Sequence, residues 1–308
     1  MKTRNVIAAL LAAAVFSASA FADAFTPYAK ANVSYDWGDG WQDSVDRASR
    51  IGAKGEFQIT GNTSFVYQVE QGVDLAHGGN ELDSLFSVRN SFVGLKGEFG
   101  TVFWGAHDTP FKKMQGKVDR FNDQQGDIKT LFVGEVRARD SYGYRSPKIN
   151  GWSALAMHVP GDSRFGSSQS IGLSYGKGAW KFGFGVDEDM RKNEKTASKT
   201  KVFDSVRVSA EYAFSNWSMG LVAQGSEQQN VVAADREYGY LLSLGYSLGK
   251  ATLLAQHGQS DIVESGARST NLGLDYKWRA NFKTYVGYWN YAGADSEDQV
   301  SLGFEYKI

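Results

Sequence analysis

Apolar and polar residues alternate without interruption through the last nine positions of the chain, Val300 to Ile308. Successive side chains on an extended strand point to opposite faces. Val300, Leu302, Phe304, Tyr306 and Ile308 therefore share one face, and Ser301, Gly303, Glu305 and Lys307 the other. The same period of two returns upstream. Ala29, Ala31, Val33 and Tyr35 alternate with Lys30, Asn32, Ser34 and Asp36, and Tyr240, Leu242, Leu244 and Tyr246 share a face, as do Leu272, Leu274 and Tyr276. One such segment suits a half-buried strand of a soluble sandwich or a barrel wall between lipid and water equally well.

The spacing of the segments separates these two readings. Short turn signals fall near Gly61, Gly97–Gly100, Pro147–Gly151, Gly176–Gly178, Ser215-Asn216, Leu248–Lys250 and Trp278–Ala280. Longer polar stretches fall at Gly38–Asp46, Gly72–Ser84, Asp108–Val136, Gly161–Ser168, Glu188–Lys201, Glu227–Glu237, Ser260–Ala267 and Tyr291–Asp298. Seven short and eight long connections alternate, which predicts sixteen strands. Short turns at one end and long loops at the other are the asymmetry of a transmembrane barrel, whose strand number is usually even. Aromatic residues gather beside the short turns, with Trp152, Trp180, Trp217, Tyr246, Tyr276 and Trp278 placed as an interfacial girdle that anchors the wall in the membrane. An open sheet edge is excluded in hydrocarbon, so the last strand is expected to seal against Ala29–Tyr35. The expected fold is all-β: a sixteen-stranded antiparallel transmembrane β-barrel.

Composition changes this picture little. The 308 residues include no Cys, which excludes disulfides and Cys-ligated metal, and the formal net charge of −1 gives no footprint for nucleic acid. Residues 1–22 read as an export signal, with Lys2 and Arg4, an apolar run from Val6 to Phe16, and Ala20-Phe21-Ala22 before Asp23. That run is too short to span a bilayer. Losing Lys2 and Arg4 takes the 33 basic residues to 31 against 34 acidic, a net charge of −3.

Catalytic and metal signals are weak. Gly245-Tyr246-Ser247-Leu248-Gly249 matches the G-x-S-x-G nucleophile elbow, but it lies between two strands, whereas the motif needs a strand-to-helix turn. His77, His107, His158 and His257 show no ligand spacing. Asn122 to Asp127 carries side-chain oxygens, with Gly126 misplaced for a calcium loop. No cofactor, resident metal or enzymatic activity is expected.

Four runs resemble the general porins of Gram-negative bacteria, the sixteen-stranded trimeric branch. They are Ser49-Arg50-Ile51-Gly52-Ala53-Lys54-Gly55-Glu56, Arg89 to Gly105, Arg137 to Pro147, and Leu274 to Lys277 followed by Tyr285 to Tyr288. Three features depart from that family. Ala106-His107 follows Gly105 where a pore arginine is customary, an acidic third-loop motif is missing, and the chain ends in Ile308 rather than an aromatic. The resemblance implies a passive outer-membrane diffusion channel for small hydrophilic solutes and ions. It also implies a homotrimer embedded in outer-membrane lipid and lipopolysaccharide and delivered by the barrel-assembly machinery. The stretch Gly72–Ser84 would latch onto a neighbouring subunit.

The longest loop, 108–136, would then fold inward as the constriction. The expected transverse field sets Asp119, Asp123 and Asp127 against Arg50, Arg89, Arg137, Arg139 and Arg145, with Lys54 on the same inward face as Arg50. This arrangement predicts weak selectivity with a lean to anions. Three other readings stay open: a solute-specific channel for a sugar, phosphate or organic acid; a barrel lipase using His257 near Ser260; and a non-transporting adhesin.

Overall fold

A computed structural model of the chain describes residues 24–77, 85–162, 166–191, 201–229, 231 and 234–308. The expected signal at 1–22 lies outside the described residues, as does the end of the 72–84 stretch.

Among the described residues, eighteen strand segments form one antiparallel sheet that closes on itself. Two wall strands are each broken in two, so the wall has sixteen. These are β1 (Thr26–Gly38), β2 (Trp41–Asp46 and Arg50–Thr60), β3 (Thr63–Val73), β4 (Phe86–Val88 and Ser91–Gly97), β5 (Gly100–Asp108), β6 (Arg137–Arg145), β7 (Trp152–Val159) and β8 (Ser168–Lys177). The second half comprises β9 (Trp180–Arg191), β10 (Val202–Phe214), β11 (Trp217–Gln228), β12 (Arg236–Leu248), β13 (Ala251–Ser260), β14 (Ala267–Arg279), β15 (Phe282–Ala292) and β16 (Glu297–Lys307). The seam runs from Lys30↔Lys307 to Gly38↔Gln299. It is continued by backbone bonds exchanged between Ala29 and Ile308. Closure pairs every edge, as a lipid-exposed sheet requires.

The face parity read from the sequence holds on β16, where Ser301 is buried inside while Val300, Leu302, Phe304 and Tyr306 are exposed outside. The expected long loop at Gly38–Asp46 is instead a two-residue hairpin. Asp39-Gly40 turns the chain, with Gly40 at φ 79°, and Trp41–Asp46 pairs back onto β1. Asp-Gly between alternating segments is a hairpin signal in its own right; the polar residues around it hide the strand.

Breaks in the wall coincide with charged residues. Between the two halves of β2, Ala48 takes φ 58°, and β4 is broken at Arg89-Asn90. The pairing of β5 with β6 slips between Gly105 and His107, with Asp140 at φ 52°. Bulges of this kind re-aim side chains.

Connection 109–136 lies against the inner wall. It begins with a one-turn helix, α1 (Pro110–Lys113), capped by the Thr109 hydroxyl, and later makes a 3-10 turn at Ile128–Thr130 capped by Asp127. Its Val118, Ile128, Leu131, Phe132 and Val133 pack on Phe203, Val222, Leu241, Ile262 and Ala267. Here the wall carries apolar residues inward, contrary to the polar-inside expectation, because a loop rather than water covers them.

Candidate functional site

Polar side chains of the inner wall satisfy the backbone of the 109–136 loop one group at a time. Ser170 Oγ accepts from Phe111 N at 3.1 Å, Glu211 Oε1 from Lys117 N at 2.7 Å, and Gln256 Oε1 from Arg120 N at 2.8 Å. Gln256 and Asn271 donate to Gly126 O, and Gln224 donates to Val133 O. Gly126 has no side chain where a Cβ would strike the Asn271 amide. Arg207, fully buried, donates to Glu135 Oε1 at 2.9 Å and lies 4.4 Å from the centre of the Phe111 ring. A loop with buried backbone needs such partners, and those found here fix its position across the lumen.

The opposite edge of the loop faces a cavity of about 320 Å³. Five bases line it (Arg50, Arg89, Lys112, Lys113 and Arg137), with three acids, Glu70, Asp108 and Asp123. Arg89 Nε donates to Glu70 Oε1 at 2.8 Å. Arg50 stands 3.7 Å from both Glu70 and Asp123. Lys30 Nζ reaches Asp123 Oδ2 at 2.8 Å. Arg137 reaches Asp108 Oδ1 at 3.0 Å and donates to Asn90 Oδ1 at 2.9 Å. Burial pushes the Asp123 carboxyl up, but Lys30 and Arg50 outweigh it and hold it below the usual carboxylate range.

The remaining expected site residues are placed elsewhere. Asp119 and Asp127 do not face the arginines. Asp119 accepts from Phe121 N, Ile128 N and Gln256, and Asp127 accepts from Asp123 N and Lys129 N. Their carboxylates stitch the loop together, because short acidic side chains readily take up nearby backbone N–H groups. Burial, with the Asp127 charge behind it, pushes Asp119 up to about 7. Arg139 sits in the β6 bulge, which turns Ala138 inward in its place and leaves Arg139 exposed. Arg145 points to His107 Nε2 at 3.2 Å, and Lys54 lies near Tyr28 in a second cavity with Lys30 and Lys307. The alternation does not single out Glu70, Asp108, Lys30, Lys112 and Lys113 as a group. Inward parity is readable for Lys30 and Glu70, whereas the placement of Asp108 depends on the kinked backbone.

On the outside, the expected anchoring residues cluster toward the short-turn end. Trp152 packs on Tyr175, Trp180 on Tyr212, Trp217 on Tyr246, and Tyr276 on Trp278, with ring centres 4.3–4.9 Å apart.

A family model described as Gram-negative porin matches residues 8–307. The chain belongs to the Gram-negative porins. Its place is the outer membrane. The major outer membrane protein P.IB of Neisseria sicca is 33% identical to this porin over 123 residues. That match covers 39% of this chain and 33% of the relative, so the porin spans about a third of that relative's length. Among solved structures, an anion-selective porin from Comamonas acidovorans superposes with TM-score 0.71 at 16% identity, covering 92% of this chain and 99% of that one. The trimer form of OmpT, an outer membrane protein of Vibrio cholerae, superposes with TM-score 0.68 at 15% identity, covering 93% and 100%. At these identities the likeness establishes the fold.

Two catalytic signals of the sequence lie within the wall. Gly245 to Leu248 belong to β12 and Gly249 to the turn into β13, so the G-x-S-x-G run has no helix to follow it. His257 bonds Thr270 Oγ1 across the strand, while Ser260 is buried three residues along.

Proposed function

We propose that this porin is a passive diffusion channel for small hydrophilic solutes and ions, weakly selective and leaning to anions. The observation that carries the reading is the cavity between loop and wall, with five bases against three acids. Charge held on both walls of a narrow aqueous passage orients dipolar solutes and slows apolar ones, and the surplus of bases favours anions. Within this reading Arg50, Arg89, Arg137 and Asp123 set the constriction, and Lys54 and Arg145 act below it on the short-turn side. The aromatic band from Trp152 to Trp278 anchors the barrel at the membrane interface. The functional unit is a homotrimer, in keeping with the trimer form of the OmpT neighbour. The stretch from Gly72 supplies the latch between subunits.

The test is conduction by the purified protein in a planar bilayer under a salt gradient. The expected result is an ohmic current whose reversal potential shows mild anion preference. Arg137→Gln moves that potential toward cations, whereas Arg139→Gln leaves it in place. Strong cation selectivity of the unaltered protein, or equal effects of the two substitutions, would overturn the assignment.

A further inference from the structure

A second basic cavity, of about 230 Å³, lies between α1 and the inner wall toward the short-turn end. Three lysines line it. Lys113 comes from α1, Lys148 from the turn between β6 and β7, and Lys181 from the start of β9. Among the described residues, Glu211 on β10 is the only acid in the lining. It already holds the loop, accepting from Lys117 N at 2.7 Å, and stands 3.5 Å from Lys181 Nζ. Lys113 and Lys148 have no ion pair among the described residues. Lys113 also lines the constriction cavity, so the two cavities share one ammonium group. The wall makes room for the charges at Gly176, where a Cβ would stand 3.9 Å from Lys148 Nζ and 3.7 Å from Lys181 Cγ. Both lysines therefore lie over the same bare stretch of strand. Ser153 and Ser174, with hydroxyls 2.9 Å apart, add donors to the lining.

The chemistry of the lining narrows the occupant. Three bases against one acid repel cations and leave a surplus of two positive charges. The constriction presents arginines, whose flat fork matches the edge of a carboxylate. This cavity presents lysines alone. An ammonium is a compact charge with three donors on a flexible stem, free to approach an anion from any side. Ammonium groups spread around one small space suit an ion that accepts in all directions and carries two charges, as a tetrahedral oxyanion does. At ~30 Å³ per water, the cavity holds about eight waters, room for such an ion with part of its hydration.

We propose that this cavity is a binding subsite for a doubly charged tetrahedral oxyanion of the phosphate and sulfate class, entered from the constriction by way of Lys113. The subsite deepens the anion lean and rests on the channel reading only in that the ion arrives through the lumen. Phosphate keeps one O–H in its doubly charged form, which the Glu211 carboxylate can accept; sulfate has none to offer.

Equilibrium dialysis of radiolabelled phosphate against the purified protein in detergent micelles reads the subsite directly. Ionic strength is held constant, at a pH where phosphate is doubly charged. Uptake is expected to saturate. One ammonium beside a doubly charged ion, partly screened, is worth about fivefold in affinity, so Lys148→Gln and Lys181→Gln should each raise the half-saturating phosphate concentration about that much. Lys177→Gln is the control, because Lys177 pairs with the outward Trp180 at the same turn; it should change little. Heat-resistant mobility checks that each variant folds. Sulfate competing as well as phosphate supports a site for tetrahedral dianions at large, and weaker competition supports phosphate held through Glu211. The subsite is overturned by uptake that does not saturate, by unchanged affinity in Lys148→Gln and Lys181→Gln, by an equal loss in Lys177→Gln, or by chloride competing as well as phosphate. Bilayer conductance is recorded on the same preparation. A conducting protein without saturable phosphate sinks the subsite alone, and a phosphate-binding protein that does not conduct sinks the channel reading alone.

Discussion

Replacing Asp123 by Asn tests the constriction most directly. Asp123 is the acid on the loop edge that faces Lys30 at 2.8 Å and Arg50 at 3.7 Å. Its backbone is left-handed, at φ 65°, a conformation Asn tolerates as well as Asp, so the substitution removes charge and leaves the turn. A unit charge about 6 Å from the ion path in water contributes roughly 332/(80 × 6), or ~0.7 kcal/mol. Removing it favours anions and disfavours cations by that amount, ~1.4 kcal/mol on the ratio, or about tenfold without screening. With a Debye length of ~10 Å at 0.1 M salt and ~3 Å at 1 M, the expected gain in anion-to-cation permeability is about three- to fourfold at 0.1 M and under about 1.5-fold at 1 M. Reversal potentials across asymmetric KCl at both salt levels measure it. Asp127→Asn is the control, because that carboxylate caps backbone N–H groups within the loop, and its shift should be less than half as large. A shift toward cations, a shift indifferent to salt, or an equal shift from the control would refute the placement of Asp123 on the ion path.

Three further outcomes follow from the same contacts. Asp119 sits above its unfolded value, at about 7, so the native loop binds that proton more tightly than the unfolded chain does. Its contribution is fully present below the unfolded carboxylate range and lost as pH rises through about 7. Hydrogen exchange at the Phe121 and Ile128 amides, corrected for the intrinsic pH dependence of exchange, should therefore quicken from the unfolded carboxylate range, about pH 4, up to about pH 7 and level off above it, and Asp119→Asn should flatten that dependence. Arg207→Met takes from Glu135 its short ion pair and leaves it only Lys112, 3.9 Å away, at a cost of up to about 3 kcal/mol; trypsin should then cut the loop at Lys117 or Lys129 in the variant, with Glu135→Gln restoring part of the resistance. Deleting residues 304–308 removes four of the nine seam pairs, from Lys30↔Lys307 through Val33↔Phe304, together with the Ala29–Ile308 bonds. The deletion should abolish folded barrel in the outer membrane before any effect on conductance; recovery of a folded, heat-resistant trimer would contradict the role given to the seam.

Alternation was enough to read the wall, because a two-sided lipid–water boundary imposes a strict period on every strand. It yielded the strand number, the closing pair and the outward aromatic band. It failed at Trp41–Asp46, whose six residues carry only two apolar side chains, Trp41 and Val45, so the Asp39-Gly40 turn was the better guide. The site was less legible. Arg50, Arg89 and Arg137 line one cavity, since each lies on or beside an inward strand position. Arg139 sits in the bulge itself, where Arg139 and Asp140 together oppose Ala106 and the arginine is left exposed, whereas Arg137 at the strand start pairs with Asp108 and lines the cavity. Asp119 and Asp127 look identical to Asp123 in the sequence. Which carboxylate caps the backbone and which faces the lumen depends on how the loop coils, and its coil depends on wall residues 59 to 145 positions away.

That separation bears on the order of assembly. The amides of Phe111, Lys117 and Arg120 find acceptors only on strands made later in the chain, at Ser170, Glu211 and Gln256. The loop cannot settle until most of the wall exists, yet once β1 and β16 have joined, the whole 109–136 connection would have to be drawn into a sealed cylinder. The productive sequence is therefore a half-pipe that gathers its own crossbar while still open along one side, and zips shut at Ala29–Ile308 only after the interior is furnished. A growing chain that closes early would be trapped with its widest bore, unobstructed and leaky.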